Sequence, residues 1–338
     1  MKIAFLSKFQ GSLDRGAETF VRELSKRLSK NHEIRIFSGP GKPKGRWPIL
    51  WRFYIDPSGI DILLFTIKKI PEIVKGGYDI VIPINGGWQS AIIRLTTWIF
   101  GCKVIISGQS GRGWDDRNNL WSFPDCFISL STTLKKWAKE INPFVKVDYI
   151  PNGVDLNKFY PNGEKISIKL PKPIILCVGA LTNEKRIELL IYAVSSLSVG
   201  SLLVAGEGPL RNKLSVLGKR LLGKRFLLTY DKFENMPKYY RSADIFSLPS
   251  PSYRSFEIVI IEALATNLPV VVNNDPIRAE IVGDGGLLVD PEDTEEYSKA
   301  IERELNINWV SKPRKQAEKF SWDNIADQYE ILFKTFQK

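Results

Sequence analysis

Histidine is almost missing from this 338-residue chain, with His32 the only one. That excludes a His-rich metal site, and a Ser-His-Asp triad unless His32 itself serves. His32 falls between a helical pattern and a strand pattern, so a surface-loop role is expected for it. Cysteine is scarce too. Cys102, Cys126 and Cys177 have no metal-like spacing, and their odd count argues against a disulfide framework. No apolar run reaches about 18 residues, so no membrane-spanning helix is expected. Lys2-Ile3-Ala4-Phe5-Leu6 is too short for a signal peptide, and there is no Asn-x-Ser/Thr sequon. These absences predict a cytoplasmic location. Two nucleotide motifs are also lacking. Gly11 and Gly16 are spaced as in a P-loop, but Ala17-Glu18 stand where Lys-Ser/Thr is required. The Gly-x-Gly-x-x-Gly fingerprint is absent, so neither a P-loop nucleotidase nor a simple dehydrogenase is supported.

What is present is ordinary globular composition, 43% apolar and 25% charged. The length predicts two domains of roughly 150 residues each. The formal charge is +11, and it is unevenly placed. Residues 1–150 carry 23 Lys+Arg against 13 Asp+Glu, while residues 151–338 carry 25 against 24. Trp47, Trp51, Trp88, Trp98, Trp114, Trp121 and Trp137 also lie in the first half. A basic half points to an anionic partner: a nucleic acid, a membrane surface or a phosphorylated substrate. No recognised nucleic-acid motif accompanies the charge, so no nucleic-acid partner is expected.

Both halves alternate strand and helix patterns. In the first, strands are expected at 2–7, 34–37, 79–84, 103–107, 126–130 and 145–150, and helices at 18–30 and 88–100. Ser131 caps a further helix through Ile141. Residues 38–56 read as a long loop rich in Gly, Pro, Lys and Trp. After a polar linker at about 155–172, strands are expected at 173–178, 201–205, 244–248 and 270–273. Helices are expected from Arg186, from Leu210, at 257–266 and at 322–336. Such alternation predicts a parallel sheet covered by helices in each half. The class is therefore α/β, with two doubly wound Rossmann-like domains. Ligands bind beyond the carboxyl ends of such strands, so facing edges would form a cleft.

Several residues stand at those strand ends. Arg15-Gly16-Ala17-Glu18 opens a helix, and Gly16 would let an anion approach the backbone; a plain loop before the helix is the alternative. Lys185 and Arg186 follow the strand 173–178, where two cations suit a diphosphate. A solvated helix start is the alternative, although cations there oppose the helix dipole. Glu262 interrupts the apolar run 258–265. A carboxylate in that company needs a partner, either a pair of ribose hydroxyls or a structural ion pair.

In order and spacing, Ile150–Asp155, Val178–Lys185, Ala205–Arg211, Ala243–Pro249, Phe256–Val272 and Glu280–Pro291 resemble glycosyltransferase family 4, retaining enzymes with the GT-B fold. The resemblance covers nearly the whole chain. It implies transfer of a sugar from a UDP- or GDP-linked donor by a hexosyltransferase-type enzyme, with no metal or other cofactor. It also implies an acceptor-side domain at 1–155, a nucleotide-sugar-binding domain at 156–320, and a last helix at about 321–338 crossing back to the first. By the resemblance, Lys185 binds diphosphate, Glu262 ribose, and Gly16 approaches the phosphates. The segment around Tyr230 lies beside the base, and Gln109, Asn85 and Gly86 lie on the acceptor side. There are departures. Arg254 stands where the family has the first glutamate of Glu-x7-Glu, Glu257 where it has a glycine, and Ala180 where it has an arginine. Arg15 replaces the first glycine of the N-terminal pair, and Gln109 an expected histidine. Arg15 or Arg186 could supply the lost arginine, and Glu257 could partly replace the lost glutamate. The candidate catalytic residues are Lys185, Arg254 and Glu257, and the candidate donor contacts are Arg15, Gly16, Lys185, Arg186, Tyr230 and Glu262. The alternative is a catalytically silent chain that partners an active glycosyltransferase.

Since the first domain faces the acceptor in this family, its charge gains a reading. Lys42, Lys44, Arg46, Trp47, Trp51 and Arg52 mix cations and indoles in one loop. That composition suits peripheral docking on an anionic membrane inner face, toward a glycan or lipid-linked acceptor. A solvated loop is the alternative.

Overall fold

The computed structural model describes residues 1–13, 15–45, 47–251 and 256–337. The chain divides into two units, Met1–Asn152 with Trp322–Lys338, and Gly153–Ser321.

In unit 1 the elements run β1 (Lys2–Leu6), α1 (Gly16–Leu28), β2 (Glu33–Phe37), α2 (Pro57–Gly76), β3 (Ile80–Pro83), α3 (Trp88–Phe100), β4 (Lys103–Ser107), α4 (Trp114–Trp121), β5 (Cys126–Ser129), α5 (Thr132–Ile141) and β6 (Val147–Tyr149). The strands form one parallel sheet in the order β2-β1-β3-β4-β5-β6. The inner strands β1, β3, β4 and β5 are mostly apolar on both faces, as a parallel sheet covered by helices requires. Ser131 caps α5, its hydroxyl accepting from Leu134 N at 3.0 Å.

In unit 2 they run β7 (Ile174–Val178), α6 (Ile187–Ser195), β8 (Ser201–Ala205), α7 (Arg211–Leu222), β9 (Phe226–Thr229), α8 (Met236–Ser242), β10 (Ile245–Leu248), α9 (Ile258–Ala265), β11 (Val270–Asn273), α10 (Pro276–Val282), β12 (Gly286–Val289), α11 (Thr294–Leu305) and α12 (Lys312–Glu318). This sheet is also parallel, in the order β12-β11-β10-β7-β8-β9. The last helix, α13 (Trp322–Lys334), belongs to unit 1.

α13 is amphipathic, and its apolar face completes a core. Trp322, Ile325, Tyr329, Leu332 and Phe333 are buried with Phe20, Val21, Leu24 and Leu28 of α1. Phe20 meets Trp322 and Tyr329 with ring centroids 6.2 and 6.0 Å apart. Full burial of each such side chain contributes about 1.5–3 kcal/mol. His32 stands in the bend between α1 and β2, as expected, with its ring drawn toward the same seam. Its Nε2 lies 2.9 Å from Glu330 Oε2, and its ring meets Phe333 edge-on.

Sequence patterning misses α2, the longest helix described. Its face is apolar on several sides, and Pro71 interrupts it. The end signals are nevertheless legible: Asp56 caps Gly59 N at 2.7 Å, Pro57 is the first helical residue, and Gly77 ends the helix at φ 60°. α4, α8, α10, α11 and α12 and the edge strands β9 and β12 are likewise absent from the expected elements.

Candidate active site

Strand order alone places the candidate site. Within unit 2, β7 is the first strand and lies beside β10, the fourth, so chain direction across the sheet reverses between them. Crevices at such a switch point, outside the carboxyl ends of the strands, are where doubly wound sheets bind ligands. Three turns meet there: the one after β7, carrying Lys185 and Arg186; the one after β10, carrying Pro249, Ser250 and Glu257; and the one after β11, carrying Asp275.

The β7 turn is packed tightly on its neighbour. A Cβ on Gly206 would stand 1.9 Å from Gly179 O, so only glycine fits the start of the β8–α7 turn. Lys185 ends a 3-10 turn, and Arg186 follows it in the left-handed region at φ 48°. An arginine held there needs compensation. Its guanidinium supplies it, donating to Pro249 O at 2.8 Å, Glu292 Oε1 at 2.7 Å and Asn273 Oδ1 at 3.1 Å. Arg186 thus ties β7 to the ends of β10 and β11.

Lys185 Nζ reaches both oxygens of Glu257, at 2.7 and 2.6 Å. Behind Glu257 lies Arg278, fully buried, with Nη2 3.5 Å from Oε1. Arg278 also donates to Ser250 Oγ at 3.0 Å and stands 3.5 Å from Asp275. Burial alone would raise the Glu257 carboxyl, but the Lys185 and Arg278 charges outweigh it and hold the group below the usual carboxylate range. Asp275 caps α10, accepting from Ile277 N and Arg278 N at 2.9 and 3.1 Å. The result is a crevice floor of cations each matched by a carboxylate. Arg254 and Arg46 lie outside the described residues.

Glu262 is buried on α9, and its Oε2 accepts from Tyr240 OH at 2.8 Å. Tyr240 itself is wholly buried, and its hydroxyl pKa is pushed up by burial and then by the Glu262 charge. Tyr230, just past β9, is 62% exposed. Beside it Asp231 accepts from Asn235 Nδ2 at 2.8 Å, Lys232 N at 2.7 Å and Tyr239 OH at 3.2 Å, which keeps its carboxyl ionised and the loop in shape. Cys177, inside β7, has its thiol pushed up to about 12 by burial, so it is no nucleophile at neutral pH.

Unit 1 has its own reversal between β1 and β3. Asn85, after β3, accepts from Lys8 N at 2.8 Å, joining the two turns. Gly86 beside it has φ 64°. Gly16 is the first residue of α1, and Arg15 precedes it in extended backbone. The Arg15 guanidinium folds onto buried Glu18 through Nε at 3.1 Å and Nη2 at 2.7 Å. Gln109 follows β4 and exchanges amide hydrogen bonds with buried Asn152, at 2.9 and 3.4 Å. Asp116 shapes the adjacent turn, accepting from Ser110 N and Gly111 N at 3.0 and 2.8 Å. Burial, partly offset by those donors, lifts its carboxyl to about 7.

Sequence reading locates Lys185 and Glu257 but not Arg278, Asp275 or Tyr240. For Arg278 the available signal is Asp275-Pro276, a helix start three residues earlier. Among the described residues no group of three or more His, Cys, Asp or Glu could hold a metal ion.

Known proteins resemble the chain in family and in fold. Residues 15–158 match a family model described as glycosyltransferase family 4, and residues 172–306 one described as glycosyl transferases group 1. An uncharacterized glycosyltransferase of Methanocaldococcus jannaschii is 33% identical over 242 residues, 64% of this chain. The match spans 61% of that relative, under two thirds of its length. Sucrose-phosphate synthase from Thermosynechococcus elongatus superposes with a TM-score of 0.78 at 22% identity, covering 99% of this chain and 98% of that one. The Anabaena protein HepE in complex with UDP-glucose gives 0.78 at 16% identity, covering 99% and 100%. At those identities the structures establish a shared fold of two Rossmann-like units.

Proposed function

The chain belongs to glycosyltransferase family 4, and on that premise we propose that it moves a hexose, with retained anomeric configuration, from a UDP- or GDP-sugar to a glycan or lipid-linked acceptor. The carrying observation is the cation cluster at the β7/β10 switch point. Lys185 and Arg186 are the partly exposed cations there, and positive charge beside a departing diphosphate is what lowers the barrier to sugar transfer. Side chains then supply the stabilisation, with no metal or other cofactor. The UDP-glucose bound by HepE supports a nucleotide-sugar donor. In this reading Glu262 meets the ribose, Tyr230 borders the base, and Arg15, Gly16 and Arg186 shape the phosphate surroundings. Gln109, Asn85 and Gly86 face the acceptor.

The acceptor reading rests on unit 1's surface. Lys42, Lys44 and Arg52 are exposed, and Trp47 is half exposed. The Trp51 ring carries the Arg52 guanidinium 5.9 Å from its centre. Next to this loop α2 exposes Ile60, Leu64 and Ile67, and α3, which packs against it, exposes Trp88, Leu95 and Ile99. Those spacings make one outward apolar stripe per helix. Exposed apolar stripes beside cations and indoles fit the interface of an anionic membrane. No described helix is long and apolar enough to cross one.

A screen of UDP- and GDP-sugars tests the donor reading. One of them raises the melting temperature and is turned over, and Lys185→Ala weakens its binding roughly tenfold or more. Donor affinity unchanged in Lys185→Ala would remove the site assignment. A second reading, a catalytically silent partner of an active transferase, is favoured by one observation: Glu257 already neutralises Lys185. Turnover by the purified chain excludes it.

A further inference from the structure

Glu257 directly precedes α9, in the position whose side chain ordinarily caps the helix by accepting from its first amide groups. It does not do so. The backbone is extended at φ −93° and ψ 94°, and the side chain makes no capping hydrogen bond. The carboxylate instead turns to Lys185, whose Nζ it holds with both oxygens, while Arg278 supports it from beneath. Two oxygens on one ammonium group are what a phosphate would present there. Lys185 retains 20% exposure and Glu257 12%, so the pair is not sealed from solvent.

We propose that Glu257 is a built-in competitor for the donor's diphosphate. Phosphate oxygens and the Glu257 carboxylate contend for the same ammonium group, so nucleotide affinity is set by the exchange of one anion for the other. The same exchange run backwards helps expel the nucleoside diphosphate product, because the carboxylate recaptures Lys185. This inference rests on the assignment of Lys185 to the diphosphate. It adds that a residue of this chain's own, at a position where the family carries glycine, tunes that contact by opposing it. Arg278 stays paired through Asp275 and Ser250 during the exchange, which keeps the buried charge compensated.

Titration calorimetry with UDP and with GDP on the intact chain tests the proposal. The variants are Glu257→Gln, Lys185→Ala and the double substitution. Glu257→Gln tightens binding of the nucleotide that the unaltered protein takes by roughly tenfold or more, since it frees Lys185 and removes a like charge. Product inhibition strengthens by the same factor. Lys185→Ala weakens binding, and adding Glu257→Gln to it restores less than Glu257→Gln alone gains. Unchanged or weaker binding in Glu257→Gln, with Lys185→Ala still weakened, overturns the competition and leaves the donor site standing. Binding indifferent to Lys185→Ala, or no binding of either nucleotide by any variant, overturns both. If Glu257→Gln does not fold, Glu257→Asp replaces it. That variant keeps charge beside Arg278 while drawing the carboxylate back from Lys185, and binding no tighter than in the unaltered protein counts against the proposal.

Discussion

The two units are built on one plan and use charge in opposite ways. Each is a six-stranded parallel sheet with helices on both faces. In unit 1 the net charge is strongly positive, and Lys42, Lys44 and Arg52 stand out in water near exposed indole and aliphatic groups. In unit 2 the balance is nearly even, and Lys185, Arg186 and Arg278 are drawn inward to the strand ends, each against a carboxylate. An outward cation is a long-range attractor, screened by salt, that reads surfaces. An inward, matched cation contributes little field at a distance and acts only on what enters the crevice. Under the proposed function, the first pattern suits a unit that seeks a surface and the second a unit that seeks a ligand.

The sharpest way to break that contrast is to unbalance unit 2. Arg278→Met leaves Glu257 and Asp275 short of a cation in a buried place, and removing one partner of such a pair costs about 3–5 kcal/mol. Hydrogen exchange should then quicken in β7, β10 and β11 while the strands of unit 1 keep their protection. Equal loosening of both units would dissolve the distinction. On the other side, replacing Lys42, Lys44 and Arg52 together by Gln should lower partitioning onto anionic vesicles by roughly tenfold or more, with little effect on neutral ones. Flotation assays measure this, and binding that ignores both the substitutions and the vesicle charge would refute the surface reading. A further effect concerns Asp116. Its folded pKa of about 7 lies above the unfolded value, so the folded state binds the extra proton between about pH 4 and 7. From this group stability falls as pH rises through that window, by at most about 1.4 kcal/mol per pH unit. Asp116→Asn should flatten that part of a melting-temperature profile in unit 1 and leave unit 2 untouched.

Much of the architecture was legible beforehand because a buried parallel strand announces itself as a short β-branched run between turns. Ile174–Val178 and Val270–Asn273 are plain cases. Helices without a clean stripe were harder. α2 hides its period because Ile60, Leu64 and Ile67 face out while Phe65 and Ile73 face in. The site divides the same way. Lys185 could be placed from its strand alone, since position after β7 fixes which edge it occupies. Arg278 could not, because a buried arginine is specified by partners 21 and 28 residues away on other turns. Arg15 shows a further limit: a cation beside a glycine reads as an anion site, yet Glu18 at i+3 is near enough to capture it.

The position of α13 has a consequence for how the molecule is made. Unit 1 begins the chain, but the helix that closes its α1 core is synthesised only after all of unit 2. During translation the second unit can finish first, while Phe20 and Leu24 wait uncovered on the nascent first one. Order of completion is thus the reverse of order of synthesis. A break after Ser321 would leave an intact-looking second unit attached to a half that cannot close.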